Sequence, residues 1–561
     1  MTRFKRLSGT VAVLAVLALV ASACSGGSST SVATKSGGKL TFALDQEPAG
    51  FNYLKASSNL FVTREIMDQI WPSAFVVQPS LKPVLNSALL TSATLTKTNP
   101  QTIVYNINPK ATWSDGTPIN AQDFIYAWQS QSGNPQYKDV GGQAYLPAST
   151  SGYSQIQSVT SSNGGETATV VFSTPYGDWK QLFAPMVPAH IAQKAGFNNG
   201  FDNFGAALQV SGGPYKIQSY SQGQALVEVP NTKYWGTPPK LSQIIYRFIL
   251  SDSQQPPAIQ TGEVQMVSPA LASVNFYNSV KSLSGFHVSV KPALQFQHLD
   301  FNEANPYLAN VSIRHALAYG TDRQAITART AGQIDPSIKP LQNRIFMPTQ
   351  GQFSNTGGSY GNFNPTEAKS LLKKAGMTMG SDGYFHPNYG PEKGQDFTLR
   401  LSSTSGVPVR QQIEELFQAQ MKSIGVKIVI QNYTANKLFG TVGPKGEFDI
   451  IEFAWVGSPF ASANQSIYCS YTSANCGNNW DHYANPTVDS LFTKALTTVN
   501  STQATSYYNQ ADSILWKDMV TLPLFQQPAL YGWSTKYGGI VPNMSVVGLP
   551  WNAQNWGLLA Q

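Results

Sequence analysis

The stretch from residue 397 to 455 constrains the fold of this chain most. Residues 397–401 alternate like a strand, 409–424 space their apolar side chains as an amphipathic helix does, and 426–430 return to strand character. A β-α-β order of this kind suits a sheet with a crossover helix. Residues 448–455 (FDIIEFAW) are then an almost unbroken apolar run, the pattern of a buried strand. Further strand signals stand at 39–44, 102–107, 167–172, 215–217, 226–229, 244–250 and 297–302. Helical signals stand at 66–70, 121–129, 313–320, 323–330, 364–374, 487–497 and 505–517. Asn120 is placed to cap the helix at 121–129, with Asp123 as the acidic third residue of its first turn. Strands and helices intermix without an internal repeat, so the expected class is α/β with mixed sheets. A chain of 561 residues exceeds one hydrophobic core and divides into two or three lobes.

The front of the chain carries an address. Arg3, Lys5 and Arg6 precede an apolar run over 11–21, which is shorter than the ~20 residues needed to span a bilayer. Residues 1–23 therefore read as a secretory signal. The small residues Ala21, Ser22 and Ala23 directly before Cys24 resemble the lipobox of bacterial lipoproteins, with Ala21 where Leu is usual. That resemblance implies an acylated Cys24 and a protein anchored by lipid to the cell membrane, on its extracytoplasmic face. Residues 24–38 are then the lipidated Cys and a flexible Gly/Ser linker with a mean reach of about 20 Å.

The composition agrees with an exported protein. Charged residues make up 12% of the chain, about half the usual ~25%. Loss of Arg3, Lys5 and Arg6 would lower the net charge from +7 to +4. No run of Lys and Arg follows, which excludes the clustered positive charge of a nucleic-acid-binding surface.

Six blocks, in order, resemble one family. They are ATWSDGTPINAQDF at 111–124, GPYK and PNTKYW between 213 and 235, IRHAL and TDR between 313 and 323, AKSLLKKAG at 368–376, FDI leading to Trp455, and NPTVDSLF at 485–492. The chain is identified as a member of family 5 of the extracellular solute-binding proteins, the peptide- and nickel-binding components of ABC importers. The resemblance implies a two-lobed periplasmic-binding-protein-like fold joined by two crossing strands. Lobe one would comprise 39–57, 212–291 and 525–561, with an extra subdomain at 58–211; lobe two would be 292–524. It implies a monomer that encloses a small solute, such as a short peptide, between the lobes and delivers it to membrane permease subunits. A ligand sensor without transport is the alternative, and an extracellular hydrolase the rival class.

The same resemblance places backbone of Trp455, Val456, Gly457 and Ser458 against the ligand, where a peptide can form strand-like main-chain hydrogen bonds. Peptide-binding members carry an acidic residue three positions after that Trp, paired with the peptide α-amino group. Ser458 stands there instead, with a hydroxyl and no charge. The amine is then met elsewhere, or the ligand is blocked, cyclic or not a peptide. The aromatic residues Phe51, Tyr53 and Trp480 are further ligand-binding expectations, because aromatic rings supply contact area without demanding one side-chain identity.

Cys469 and Cys476 read as a local disulfide in an oxidising compartment, bracing a loop beside Trp455. No catalytic residue, cofactor or metal is expected. Gly357-Gly358-Ser359-Tyr360-Gly361 matches G-x-S-x-G, but GQFSNT before it has no strand character to build a nucleophile elbow. The six histidines form no H-E-x-x-H pair. Asp115 and Asp123 are expected to shape a turn and a helix start rather than to act as a carboxylate pair.

Overall fold

Ten strands that bury one or both faces join into a single mixed sheet. They are β1 (Lys39–Leu44), β2 (Tyr215–Ser221), β3 (Ala225–Pro230), β4 (Gln243–Phe248), β5 (Met266–Val267), β6 (Phe286–Phe301), β7 (Thr398–Ser402), β8 (Lys427–Ile430), β9 (Ile450–Val456) and β10 (Thr521–Ser534). Their spatial order is β8-β7-β9-β6-β10-β5-β1-β4-β3-β2. This computed structural model describes residues 33–473 and 476–560. The signal segment, Cys24 and the start of the linker lie outside the described residues. Among the described residues no helix is long and apolar enough to cross a membrane.

The β-α-β reading holds. β7 pairs in parallel with both β8 and β9, and the helix Pro408–Ser423 makes the crossover between β7 and β8. Ile413, Phe417 and Met421 of that helix are fully buried in a core they share with Leu399, Leu401 and Ile450. A separate, larger core gathers Leu40, Phe42, Trp71, Trp113, Tyr246 and Trp556. The two cores lie on opposite sides of the middle of the sheet. β6 and β10 run from one to the other: β6 begins beside β10 at Phe286↔Ser534 and ends at Asp300↔Thr521.

These two long strands are where the local reading fell short. Only the end of β6 was foreseen, at 297–302, and β10 was not foreseen at all. Both contain prolines, which lack the N–H a central strand needs and so mask the strand pattern. Pro292 pairs with Pro528, and the register slips between Pro292 and Phe296. The ladder is thus broken at the crossing, and a second, smaller shift follows between Gln297 and His298. The linker expected over 24–38 is also shorter than its composition suggested. Thr34–Lys35 forms a short strand paired with Leu558–Leu559, a partner more than 500 residues away that local sequence cannot reveal.

Residues between β1 and β2 build a four-stranded antiparallel sheet from Leu90–Thr98, Gln101–Ile107, Thr167–Phe172 and Ile156–Ser162, with the helix Ala121–Gln131 nearby. Asn120 caps that helix by accepting from Gln122 N at 2.8 Å, and the Asp123 carboxylate accepts from Asn120 N and Ala189 N at 3.0 Å each. Burial pushes the Asp123 carboxyl up to about 6. Asp115 accepts from Thr117 N at 2.9 Å and lies 2.7 Å from His190 Nε2. Each acid is committed to local structure and to its own partners. Gly213 has a steric reason: a Cβ there would lie 2.0 Å from Gln69 O.

Candidate functional site

β9 carries the second core outward to a point where its pairing runs out. Phe296 pairs with Trp455 and Gln295 with Val456, and Gly457 N then donates to Leu294 O at 2.8 Å. Residues 293–295 are those in which β6 loses register with β10, so the end of β9 is fastened beside the crossing. Gly457 is required here, since a Cβ would stand 2.2 Å from Leu294 O. Past it the chain leaves the sheet and becomes the wall of a cavity.

That cavity measures about 1790 Å³, well above the ~300–1,000 Å³ of ordinary small-molecule pockets. Its lining joins Trp455, Val456, Gly457 and Ser458 to Tyr53 near the first core, Asp68, Phe75 and Lys180 of the stretch between β1 and β2, and Trp551 near the carboxyl end. Trp455 stacks on His298 with centroids 5.8 Å apart and planes 7° from parallel, and lies 4.7 Å from Phe453 and 5.8 Å from Trp480. Trp480 also lines the cavity. Phe51 does not: it is 1% exposed and packs edge-to-face on Tyr220 within the core. Tyr53 reaches the lining from a buried position and donates its hydroxyl to Asp68 Oδ1 at 2.5 Å.

Cys469 and Cys476 are joined by a disulfide, with Cα atoms 5.7 Å apart. Asn479 Nδ2 donates to Cys469 O at 2.6 Å, so the bridged loop is tied to the segment that presents Asn478 and Trp480 to the cavity.

The charges of the lining are few. Arg64, Lys180 and Arg410 are its cations and Asp68 its one carboxylate among the described residues. Loss of water raises Asp68 to about 6, with the Tyr53 hydroxyl and Arg64 pulling the other way. The Ser458 hydroxyl accepts from Phe460 N at 3.1 Å and so serves the local turn. Arg410, missed in the sequence, is 7% exposed. Its Nη1 donates to Thr404 Oγ1, and its Nε lies 4.0 Å from Glu452 Oε2. Glu414 on the same helix is pushed up to about 7 by burial, although Asn432 donates to it at 2.8 Å. An Arg in the first turn of an otherwise amphipathic helix, on its buried face, was the available signal.

Other sequence features fall elsewhere. Ser359 sits in a turn with no strand before it, and the next helix starts at Pro365. The geometry of a nucleophile elbow is absent there. Asp382, His386 and Asp396 form the one group of three potential metal ligands among the described residues. None of the three lines the cavity, and Lys427 Nζ sits 2.9 Å from Asp396 Oδ2.

Residues 85–478 match the family described as bacterial extracellular solute-binding proteins, family 5 Middle. The oligopeptide-binding protein OppA of Mycobacterium tuberculosis (strain ATCC 25618 / H37Rv) is 29% identical over 500 residues, covering 88% of this chain and 80% of that protein. The solved structure of the periplasmic EDTA-binding protein EppA superposes with a TM-score of 0.87 at 27% identity, over 95% of this chain and 98% of that one. The oligopeptide-binding protein AppA of Bacillus subtilis, solved with a nonapeptide, has a TM-score of 0.77 at 19% identity, over 94% and 100% of the two chains. At that identity the likeness to AppA speaks for the fold alone. With the six blocks in order, the crossing strands and the large cavity beside them, this chain belongs to family 5 of the bacterial extracellular solute-binding proteins, a family that binds substrates outside the cytoplasm.

Proposed function

We propose that this protein is the lipid-anchored binding component of an ABC importer, capturing a short peptide or similar solute by closing two lobes over it. Lobe one is 39–57, 212–291 and 525–561 with the subdomain 58–211, and lobe two is 292–524. The observation that carries this reading is the cavity of about 1790 Å³ beside a strand pair whose ladder breaks at Pro292 and Pro528. A broken ladder is the cheapest place for two rigid bodies to rotate, and a ligand touching both walls favours the closed arrangement. Backbone of Val456, Gly457 and Ser458 offers a peptide main-chain hydrogen bonds, with Trp455 and Trp480 as apolar walls. Arg410 suits an acidic end of the ligand, and Asp68 is the carboxylate that remains for an amine. No step of covalent chemistry is needed, and purified protein is expected to leave peptides and esters intact.

A polycarboxylate or its metal chelate is the second reading. It is favoured by three lining cations against one carboxylate, and by the likeness to a protein that binds EDTA. Native mass spectrometry of the full-length protein in mild detergent separates the two. A ladder of co-purifying peptide masses supports the first reading; a single polyacidic mass overturns it in favour of the second. Anchoring has its own test: Cys24→Ala should release the protein into the medium, and continued membrane association would refute lipidation.

A further inference from the structure

Tyr176, Gly177 and Asp178 stand in a turn of the extra subdomain, and they bond only in part to that subdomain. The Tyr176 hydroxyl lies 3.0 Å from Ser462 Oγ, and Gln181 Nε2 lies 3.0 Å from the same oxygen. Ser462 N donates to Asp178 Oδ2 at 3.0 Å, and Gly177 N donates to Leu496 O at 2.8 Å. Ser462 lies in the first turn of the short helix Ala461–Asn464, where backbone N–H groups have no partner within the helix. Leu496 lies in the last turn of the helix Pro486–Thr497, where carbonyls are likewise left over. One tripeptide thus caps two helix ends that belong to residues 292–524.

The contact is dry and close. Tyr176 and Ser462 are 0% and 2% exposed. Leu496 packs into the first hydrophobic core, away from the helix partners of its own region. Gly177 has no side chain where one would intrude: a Cβ there would stand 2.5 Å from Thr498 O, which is backbone of the other side.

We infer that Tyr176–Asp178 and Ser462 with Leu496 form a clasp between the extra subdomain and the second lobe, which holds the cavity shut by protein–protein bonds alone. This rests on the hinge reading above. Every bond of the clasp is made whichever ligand is enclosed. The clasp therefore sets the fraction of closed molecules and scales affinity for all ligands by a common factor; Gln181, Ser462 and Leu496 also border the cavity, and discrimination is left to the rest of its lining. On opening, the two helix ends pass to water, which satisfies them at little cost. Closing is therefore reversible.

The test is Gly177→Ala in the full-length protein, read by hydrogen exchange and small-angle scattering without added ligand. The substitution wedges the two sides apart without touching either core. The amides of Gly177 (Ala in the variant) and Ser462 should lose protection by about tenfold or more, and the radius of gyration should rise. Amides of the Gln101–Ile107 strand should keep their protection, which separates opening from unfolding. Ser462→Ala, which removes two of the bonds and adds no bulk, should move the same readouts in the same direction by less. A tryptic digest of casein serves as the peptide probe. Contraction of the wild type on adding the digest, with both variants matching its unliganded profile and exchange, overturns the clasp and keeps the hinge. No contraction in the wild type and no expansion in either variant overturns both.

Discussion

The two walls of the cavity are built in opposite ways. On the side of residues 292–524, one unbroken run, Phe453 to Phe460, dominates the wall, and Arg410, Phe439, Trp480 and Thr493 are among the residues that close in from beside it. On the facing side, Tyr53, Asp68, Phe75, Lys180 and Trp551 come from five separate segments, and no single run dominates. A wall made of consecutive residues has one register, fixed by pairing to β6. A wall made of scattered residues has many independent parts, each replaceable. The difference predicts concentrated binding energy on the first kind of surface and diffuse binding energy on the second.

The strongest way to break that contrast is Trp455→Ala. It should weaken binding of the co-purifying ligand by about 2–4 kcal/mol, as expected for a central aromatic anchor, and unchanged calorimetric affinity would remove Trp455 from that role. Gly457→Ala should cost about 1–3 kcal/mol of stability, because the added methyl must displace backbone at Leu294; a melting curve that does not move would mean the strand end shifts freely. On the scattered wall, Trp551→Ala should cost less than about 1 kcal/mol of affinity, and a loss as large as that of Trp455→Ala would erase the contrast.

A pH-dependent effect concerns the acid beneath the strand-end wall. Burial pushes the Glu414 carboxyl up to about 7 in the folded protein against ~4.3 when unfolded. Its folded pKa is raised, so its stabilising share is fully present below the unfolded value and is lost as pH rises towards 7. Stability should fall across that window, and Glu414→Gln should flatten the fall in chemical denaturation at a series of pH values.

Legibility in the sequence followed the same division. β7, the crossover helix, β8 and β9 were readable because each carries its own period and its neighbours follow in order. The capping of Ala121–Gln131 by Asn120 and Asp123 was readable because a capping box is local. β10 was not readable, since Pro523 and Pro528 break the strand pattern that tertiary pairing then imposes. Of the site, Trp455 to Ser458 could be named from one block, and Trp480 from its closeness to the bridged cysteines. Phe51 was misplaced into the site because an aromatic after the first strand looks alike whether it faces a core or a cavity. Asp68 and Trp551 reach the cavity only through folding of distant segments, and nothing in their immediate neighbours marks them, whereas Arg410 left one signal, a charge on the buried face of its helix.

The pairing of Thr34–Lys35 with Leu558–Leu559 decides how traction enters the molecule. Gly37 N donates to Lys240 O at 2.7 Å and Lys240 Nζ to Thr34 Oγ1 at 2.5 Å, so the emerging chain is stitched at several points to one half only. Drag on the protein from flow or crowding would be borne by that half and by its own seam. Tyr537–Gly538, set off from the end of β10 by two residues, pairs with the same carboxyl-end strand, so a pull on the amino end reaches β10 from its far end and β6 only through it.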